Sequence, residues 1–382
     1  MTFSITITKK PCIDAKAACR YPTMSIGIAR KSAVLGLALL LTAAACGGDD
    51  DTSTGDAAGA DTTAQQEPSG SLKLGYFPNV THAPAIIGVE EGIFAETLGD
   101  ASLETFTFNS GTEASEALLS ESIDATFIGP NPAINAFAES GGEVTLVAGT
   151  TSGGASLVVA QDIDSAEDLV GATLATPSLG NTQDVALRAW LADEGIETDV
   201  TGGGEVTITP QENADTLTTF QSGDIQGAWV PEPWATRLIN EGGGKVLVNE
   251  SDLWTDTDGR FVTTHLLVRS GYLEENPANV KALVKGLLDA IDEANGDAAR
   301  AQTVTNDGIE KITTKRLGDD VIASAWENLE FTFDPVAASL QKSADDAIEV
   351  GLLDPVELDG IYDLTILNEL LAERGEEEVQ GL

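Results

Sequence analysis

The chain is 382 residues long, enough for two lobes with cores of their own. It carries 62 Asp and Glu against 20 Lys and Arg, a formal net charge of −42, and a surface of that sign repels nucleic acid and anionic lipid. Apolar residues at 42% fit a soluble globular body.

The first stretches read as a targeting signal and a tether. Arg30-Lys31 precede an apolar run from Ala33 to Leu41, then Thr42-Ala43-Ala44-Ala45-Cys46, the order of n-region, h-region and small residues before a cleavage site. The run is too short to span a bilayer. A cysteine directly after small residues, followed by Gly47-Gly48-Asp49, resembles a bacterial lipobox. That resemblance implies that Cys46 is lipidated and is the first mature residue; a plain signal peptide is the alternative. Residues 24–45 then form the signal peptide, starting at Met24, and residues 1–23 a mis-assigned extension. Cys12 and Cys19 fall in the removed part, so the mature chain has no disulfide, no cysteine metal site and no cysteine nucleophile. Residues 46–71, rich in Asp, Thr, Gly and Ala, read as a flexible tether.

Order begins at Leu72. Leu72 to Tyr76 reads as a strand, Phe77 to His82 as a loop, and Ala83 to Phe94 as a helix with Pro84 in its first turn. Leu103 to Phe108 alternates as a strand, and Asn109-Ser110-Gly111-Thr112 opens a helix to Ser120. Ala125 to Ile128 is a buried strand that breaks at Gly129-Pro130 into a helix to Ser140, with Asn131 as N-cap and Pro132 as first helical residue. Such a joint aims unpaired N–H groups and a partial positive charge at one spot, where an anion can be held. An ordinary strand–loop–helix connection is the alternative. Strands follow at 144–148 and 157–159. A second series then alternates strands at 173–175, 206–209, 227–230 and 246–248 with helices at 181–193, 214–221 and 233–240. A strand at 265–268 precedes helices at 277–294, 319–329, 335–350 and 358–371, the third with Asp334 as N-cap. The alternation predicts an α/β fold of doubly wound sheets.

The second series echoes the first. Ser122 to Ile128 overlays Asp224 to Val230, Pro130-Asn131-Pro132 overlays Pro231-Glu232-Pro233, and Gly141-Gly142-Glu143-Val144 overlays Gly243-Gly244-Lys245-Val246. Two equivalent lobes imply a cleft at the carboxyl ends of the strands, where ligands sit in open α/β sheets.

Few residues on that side can carry chemistry. His82 and His265 are the only histidines, and a strongly acidic protein favours their charged form. No Lys or Arg occurs between Lys73 and Arg188, so the first lobe must hold an anion with amides, hydroxyls, Asn131 and His82. Trp229, Trp234, Phe77 and Tyr76 stand near the loops as candidate pocket walls. Glu232 is placed to favour a helix dipole or to receive a ligand ammonium. No nucleophile elbow, phosphate loop or zinc-helix motif is present, and neither a cofactor nor a metal is expected.

The segments LKLGYFPNVTHAPAIIGVEEGIF, FIGPNPAINAFAESGG, TSGGASLVV, TPSLGNTQDVALRAWL, PQENADTLTTFQSGDIQGAWVPEPWATRLI and FVTTHLLVR together resemble the substrate-binding component of an ABC importer, of the aliphatic sulfonate, taurine and nitrate class. The resemblance spans about Leu72 to Leu371. It implies a two-lobed periplasmic-binding-protein type II fold, with residues 72–160 and 261–382 in lobe I and 161–260 in lobe II. It implies a monomer at the outer face of the cytoplasmic membrane that closes on a small solute and docks on a permease. Carried onto this chain, the ligand-facing residues are Tyr76, Asn79, His82, Asn131, Ser152, Gly153, Gly180, Asn181, Thr182, Trp229, Glu232 and His265. The resemblance leaves open a heteroaromatic ligand boxed by Trp229, Trp234 and Glu232. It also leaves open a pyrimidine-forming enzyme, whose cysteine-rich motif this chain lacks.

Overall fold

The computed structural model of the protein describes residues 67–382. The extension, the signal peptide, Cys46 and all but the end of the tether lie outside the described residues. The first stretch alternates strand and helix: β1 (Ser71–Tyr76), α1 (Ala83–Glu90), α2 (Ile93–Leu98), β2 (Ser102–Thr107), α3 (Gly111–Leu119), β3 (Ala125–Ile128), α4 (Pro130–Ser140) and β4 (Val144–Gly153). The helix expected over 83–94 is two helices, broken where Gly92 takes a φ of +74°. The chain then builds β5 (Ala155–Val159), β6 (Thr173–Thr176), α5 (Thr182–Asp193), a small hairpin of β7 (Thr198–Asp199) and β8 (Gly203–Gly204), β9 (Thr207–Pro210), α6 (Asn213–Ser222), β10 (Gly227–Pro231), α7 (Trp234–Asn240) and β11 (Lys245–Asn249). It returns with β12 (Val262–Arg269), α8 (Ser270–Glu275), α9 (Pro277–Gly296), α10 (Ala298–Thr313), α11 (Asp319–Glu327), β13 (Leu329–Phe331), α12 (Ala337–Glu349) and α13 (Thr365–Arg374). No helix among the described residues is long and apolar enough to cross a membrane.

Two mixed sheets result, ordered β2-β1-β3-β12-β4-β13 and β9-β6-β10-β5-β11. They follow one plan. In each, the first strand pairs in parallel with the second and third, and a strand arriving from the other lobe runs antiparallel beside the third. β3 and β10 hold the same place in their sheets, so the echo between 122–128 and 224–230 is a structural equivalence.

Apart from exposed edge strands such as β2 and β11, each sheet is buried on both faces. Leu74, Phe127, Leu266 and Leu283 sit fully buried between the first sheet and helices α1, α2 and α9. Leu118, Ile134 and Leu340 fill its other face under α3, α4 and α12. In the second lobe Leu174, Leu187 and Trp229 pack on the α5 side, and Phe220, Val230 and Leu238 on the α6–α7 side. Complete burial of such a side chain stabilises the fold by about 1.5–3 kcal/mol.

The lobes exchange chain at two adjacent crossings. Gly153 and Gly154, with φ of +82° and +74°, carry β4 into β5, and a Cβ on either would strike Asn328 or Leu329. The return strand lies alongside, with Gly153 N donating to Phe261 O at 3.0 Å and Phe261 N to Ser152 Oγ at 3.2 Å. The first crossing falls earlier than the expected 160, because β5 hydrogen-bonds to β10 and β11 rather than to the first sheet.

Lobe II is locked to its cleft-side loop by a buried ion pair. Arg188 Nε donates to Asp184 Oδ2 at 3.1 Å, both side chains being almost fully buried. Asp184 also accepts from Thr176 Oγ1 at 2.8 Å and Gly180 N at 2.9 Å, which ties β6, the 177–181 loop and α5 together. Removing one member of such a pair leaves a buried charge uncompensated. Arg188→Met is expected to cost about 3–5 kcal/mol, read as a lower urea midpoint at unchanged m-value. A loss below about 1 kcal/mol would show that the pair is dispensable.

Candidate functional site

Sequence order brings five helix N-termini to the gap between the lobes, one after each of five strands. From lobe I come Phe77, Asn79, Thr81 and His82 ahead of α1, Asn109, Ser110 and Gly111 at α3, Gly129 and Pro132 at α4, and Thr263 on β12. From lobe II come Pro177, Asn181, Thr182 and Gln183 at α5, Asn213 at α6, and Pro231 at the end of β10. Together they enclose a cavity of about 40 Å³, a few times the ~10–15 Å³ one water needs.

The lining is polar without being charged: no Asp, Glu, Lys or Arg reaches it. Local chemistry fixes the donors. Ser110 Oγ caps α3 by accepting from Glu113 N, while Glu113 Oε2 accepts from Asn109 N at 3.1 Å, a capping box shifted by one residue. Asn181 Oδ1 caps α5 by accepting from Gln183 N and Asp184 N. Gly129 is small because the lobes touch there: a Cβ would lie 2.7 Å from Thr182 Oγ1. Trp234 Nε1 donates to Asn79 Oδ1 at 3.1 Å, and Asn135 Nδ2 to Gly180 O at 3.5 Å, so lobe II is held against lobe I beside the cavity.

His82 is buried against Phe77, ring centroids 4.5 Å apart, and its Nδ1 has no partner. Asn213 Oδ1 is likewise unpartnered. Burial pushes the His82 imidazole down to about 3, and His265 to about 3 as well, so both are neutral. The acidic field expected to charge them is outweighed by desolvation.

Of the residues expected at the ligand, Asn79, His82, Asn181 and Thr182 meet at this cavity. Ser152, Gly153 and Gly180 shape the frame instead, the first two at the crossings and Gly180 bonded to Asp184 and Asn135. Tyr76 is buried in the core of lobe I. The other four turn away. Asn131 is not the N-cap; α4 begins at Pro130 with Gly129 as cap, and Asn131 Nδ2 donates to Ser343 O at 2.9 Å under α12. Pro130 and Pro132 lack N–H groups, so this helix start offers fewer donors than expected. Trp229 lies in the lobe II core, its Nε1 donating to Glu250 Oε2 at 2.7 Å, and burial pushes that carboxyl up to about 7. Glu232 is buried at the crossings, accepting from Thr236 N, Thr236 Oγ1 and, across the lobes, Asn328 Nδ2 at 2.8 Å. His265 faces Tyr362 inside lobe I. The aromatic box of Trp229, Trp234 and Glu232 is therefore not assembled.

Gln183, Asn213 and Thr263 also line the cavity and were not singled out from the sequence, whereas Asn109 stands at a strand end expected on the cleft side. Gln183 and Asn213 stand at helix starts after strands, where the same strand-end rule applies. Thr263 lies inside a strand and carries no such signal. Among the described residues no group of three or more His, Cys, Asp or Glu could hold a metal ion.

The chain has only two histidines, so their titration is readily resolved. Both imidazoles are expected to stay neutral from pH 8 to about 4 by NMR. Because the folded value lies below the unfolded 6.5, neutral burial contributes stability above pH 6.5 that is lost as pH falls towards 3. A resonance titrating near 6.5 would place that ring in solvent.

Residues 65–306 match the NMT1-like family. The taurine-binding periplasmic protein of Escherichia coli strain K12 is 31% identical over 210 residues, which cover 54% of this chain and 62% of that protein. The chain thus spans about three fifths of that relative's length. Two solved structures share the fold. The alkanesulfonate-binding protein of Xanthomonas axonopodis pv. citri, bound to MOPS, superposes with a TM-score of 0.63 at 18% identity, covering 76% of this chain and 96% of that one. The periplasmic nitrate-binding protein of Synechocystis PCC 6803 gives 0.68 at 19% identity, covering 79% and 88%. With the family match extending over more than half of its length, the chain belongs to the NMT1-like family.

Proposed function

We propose that the protein is the solute-binding component of an ABC importer and captures a small sulfonate-type anion in the cavity between its lobes. It delivers that solute to a membrane permease as a monomer, anchored through Cys46 at the outer face of the cytoplasmic membrane, without cofactor or catalysis. The observation that carries this reading is the neutral polar lining beneath five helix N-termini. A sulfonate is a weak base and stays ionised at any working pH, so oriented dipoles and neutral donors suffice to hold it. A ligand ammonium would find no carboxylate in the cavity. The likeness to proteins named for taurine, alkanesulfonates and nitrate points the same way.

Nitrate is the second reading, since the same donors suit a flat oxyanion. The adjoining groove of about 580 Å³ favours a sulfonate, because it leaves room for a carbon tail. A heteroaromatic cation is less well served, with Glu232 already engaged by Thr236 and Asn328.

Calorimetry with taurine, a longer alkanesulfonate, sulfate and nitrate separates these. The alkanesulfonate is expected to give the largest heat. Thr182→Val is expected to weaken it about tenfold, the worth of one hydrogen bond to a charged acceptor, without moving the urea midpoint. Heat from nitrate alone would transfer the assignment to nitrate, and heat from none of the four would remove the oxyanion reading.

A further inference from the structure

The groove that opens from the cavity has a chemistry of its own. The two share Phe77, Asn79, Asn109 and Asn213 in their linings, so they adjoin. Its apolar wall includes Phe108, Leu217, Trp234 and Leu317, which fits a carbon spacer. Its charged residues are Arg237, Lys315 and Arg316 against Glu212 and Glu241.

Those charges are not equivalent. Arg237 is held by both carboxylate oxygens of Glu241, at 2.7 and 3.1 Å, and lies over the Trp234 ring. Arg316 is paired with Asp307 and Glu310. Lys315 has no acidic partner. Among the described residues every Lys and Arg is within salt-bridge distance of a carboxylate except Lys73 and Lys315. Where acids outnumber bases by 62 to 20, an unpaired glutamate such as Glu212 is the ordinary case and an unpaired lysine is not. Nor is Lys315 on a wandering loop. Thr314 closes α10 with a φ of +61°, Thr313 Oγ1 bonds both the N–H and the carbonyl of Lys315, and buried Asn306 clamps the N–H and carbonyl of Leu317.

We propose that the groove receives the far end of the solute and that this end bears a second anionic group, of the carboxylate class, met by Lys315. The solute class is then a sulfonate whose carbon spacer, lying against Trp234 and Leu317, ends in an oxyanion. This rests on the oxyanion reading of the inner cavity. The net charge of −42 repels a dianion more than a monoanion, so a preference for the dianion has to come from local groups, and a preference that salt weakens points to a cation among them.

Calorimetry on the full chain with 4-sulfobenzoate, benzenesulfonate and taurine tests it. At low salt 4-sulfobenzoate is expected to bind about fivefold more tightly than benzenesulfonate, with the gap closing as salt rises. Lys315→Gln is expected to lower 4-sulfobenzoate affinity to the level of benzenesulfonate, whereas Lys285→Gln on α9 leaves the preference in place. Equal affinities in the unaltered chain, or a preference that survives Lys315→Gln, would overturn the second-anion assignment alone. Taurine binding more tightly than both would overturn it in favour of Glu212 meeting a ligand cation. Binding of no sulfonate would overturn both this proposal and the oxyanion reading.

Discussion

A cavity between two lobes, lined by neutral polar groups, sets the terms for the rest of this structure. Among its polar groups His82 Nδ1 is buried without a partner, and an unpaired buried polar group is costly. A ligand that supplies several acceptors at once removes that cost. Burial keeps His82 neutral, so the cavity presents dipoles rather than charge. The long-range field of an acidic protein, screened beyond roughly 8–10 Å at physiological salt, need not oppose capture at such short range.

The fold supplies this cavity by repetition. Two sheets built on the same plan present the carboxyl ends of their parallel strands to each other, and β1, β2, β3, β6, β9 and β10 each hand over there to a helix. The tie from Asp184 to Gly180 sets the lobe II side, and the Ser110 and Glu113 box sets the lobe I side. Gly153, Gly154 and the Glu232 to Asn328 bond sit at the crossings, where any change in the angle between the lobes must be absorbed.

Much of this was legible in the residues. Alternation of apolar period, Gly-Pro breaks and the doubled Pro-X-Pro marked the βα units and their equivalence. What periodicity could not show was which way a strand-end side chain faces. By sequence Trp229 is a candidate pocket wall, yet Ala228 and Val230 belong to one face of the second sheet and Trp229 to the other, under α5. Glu232 and Asn131 stand at the right loops but satisfy neighbouring backbone and side chains. β13 escapes a sequence reading because a three-residue strand has almost no period, and α10 because its inward stripe of Ala301, Val304, Thr305, Gly308, Ile309 and Ile312, though helical in spacing, is built half from small or polar residues.

A crystal structure with an alkanesulfonate bound tests the central claim most directly. The expected result is a sulfonate group inside the cavity, its oxygens within hydrogen-bond distance of Thr182 Oγ1 and of helix-start N–H groups, with no Lys or Arg touching it. A sulfonate seated instead on Arg237 or Lys315 in the outer groove, with the inner cavity left to water, would contradict it.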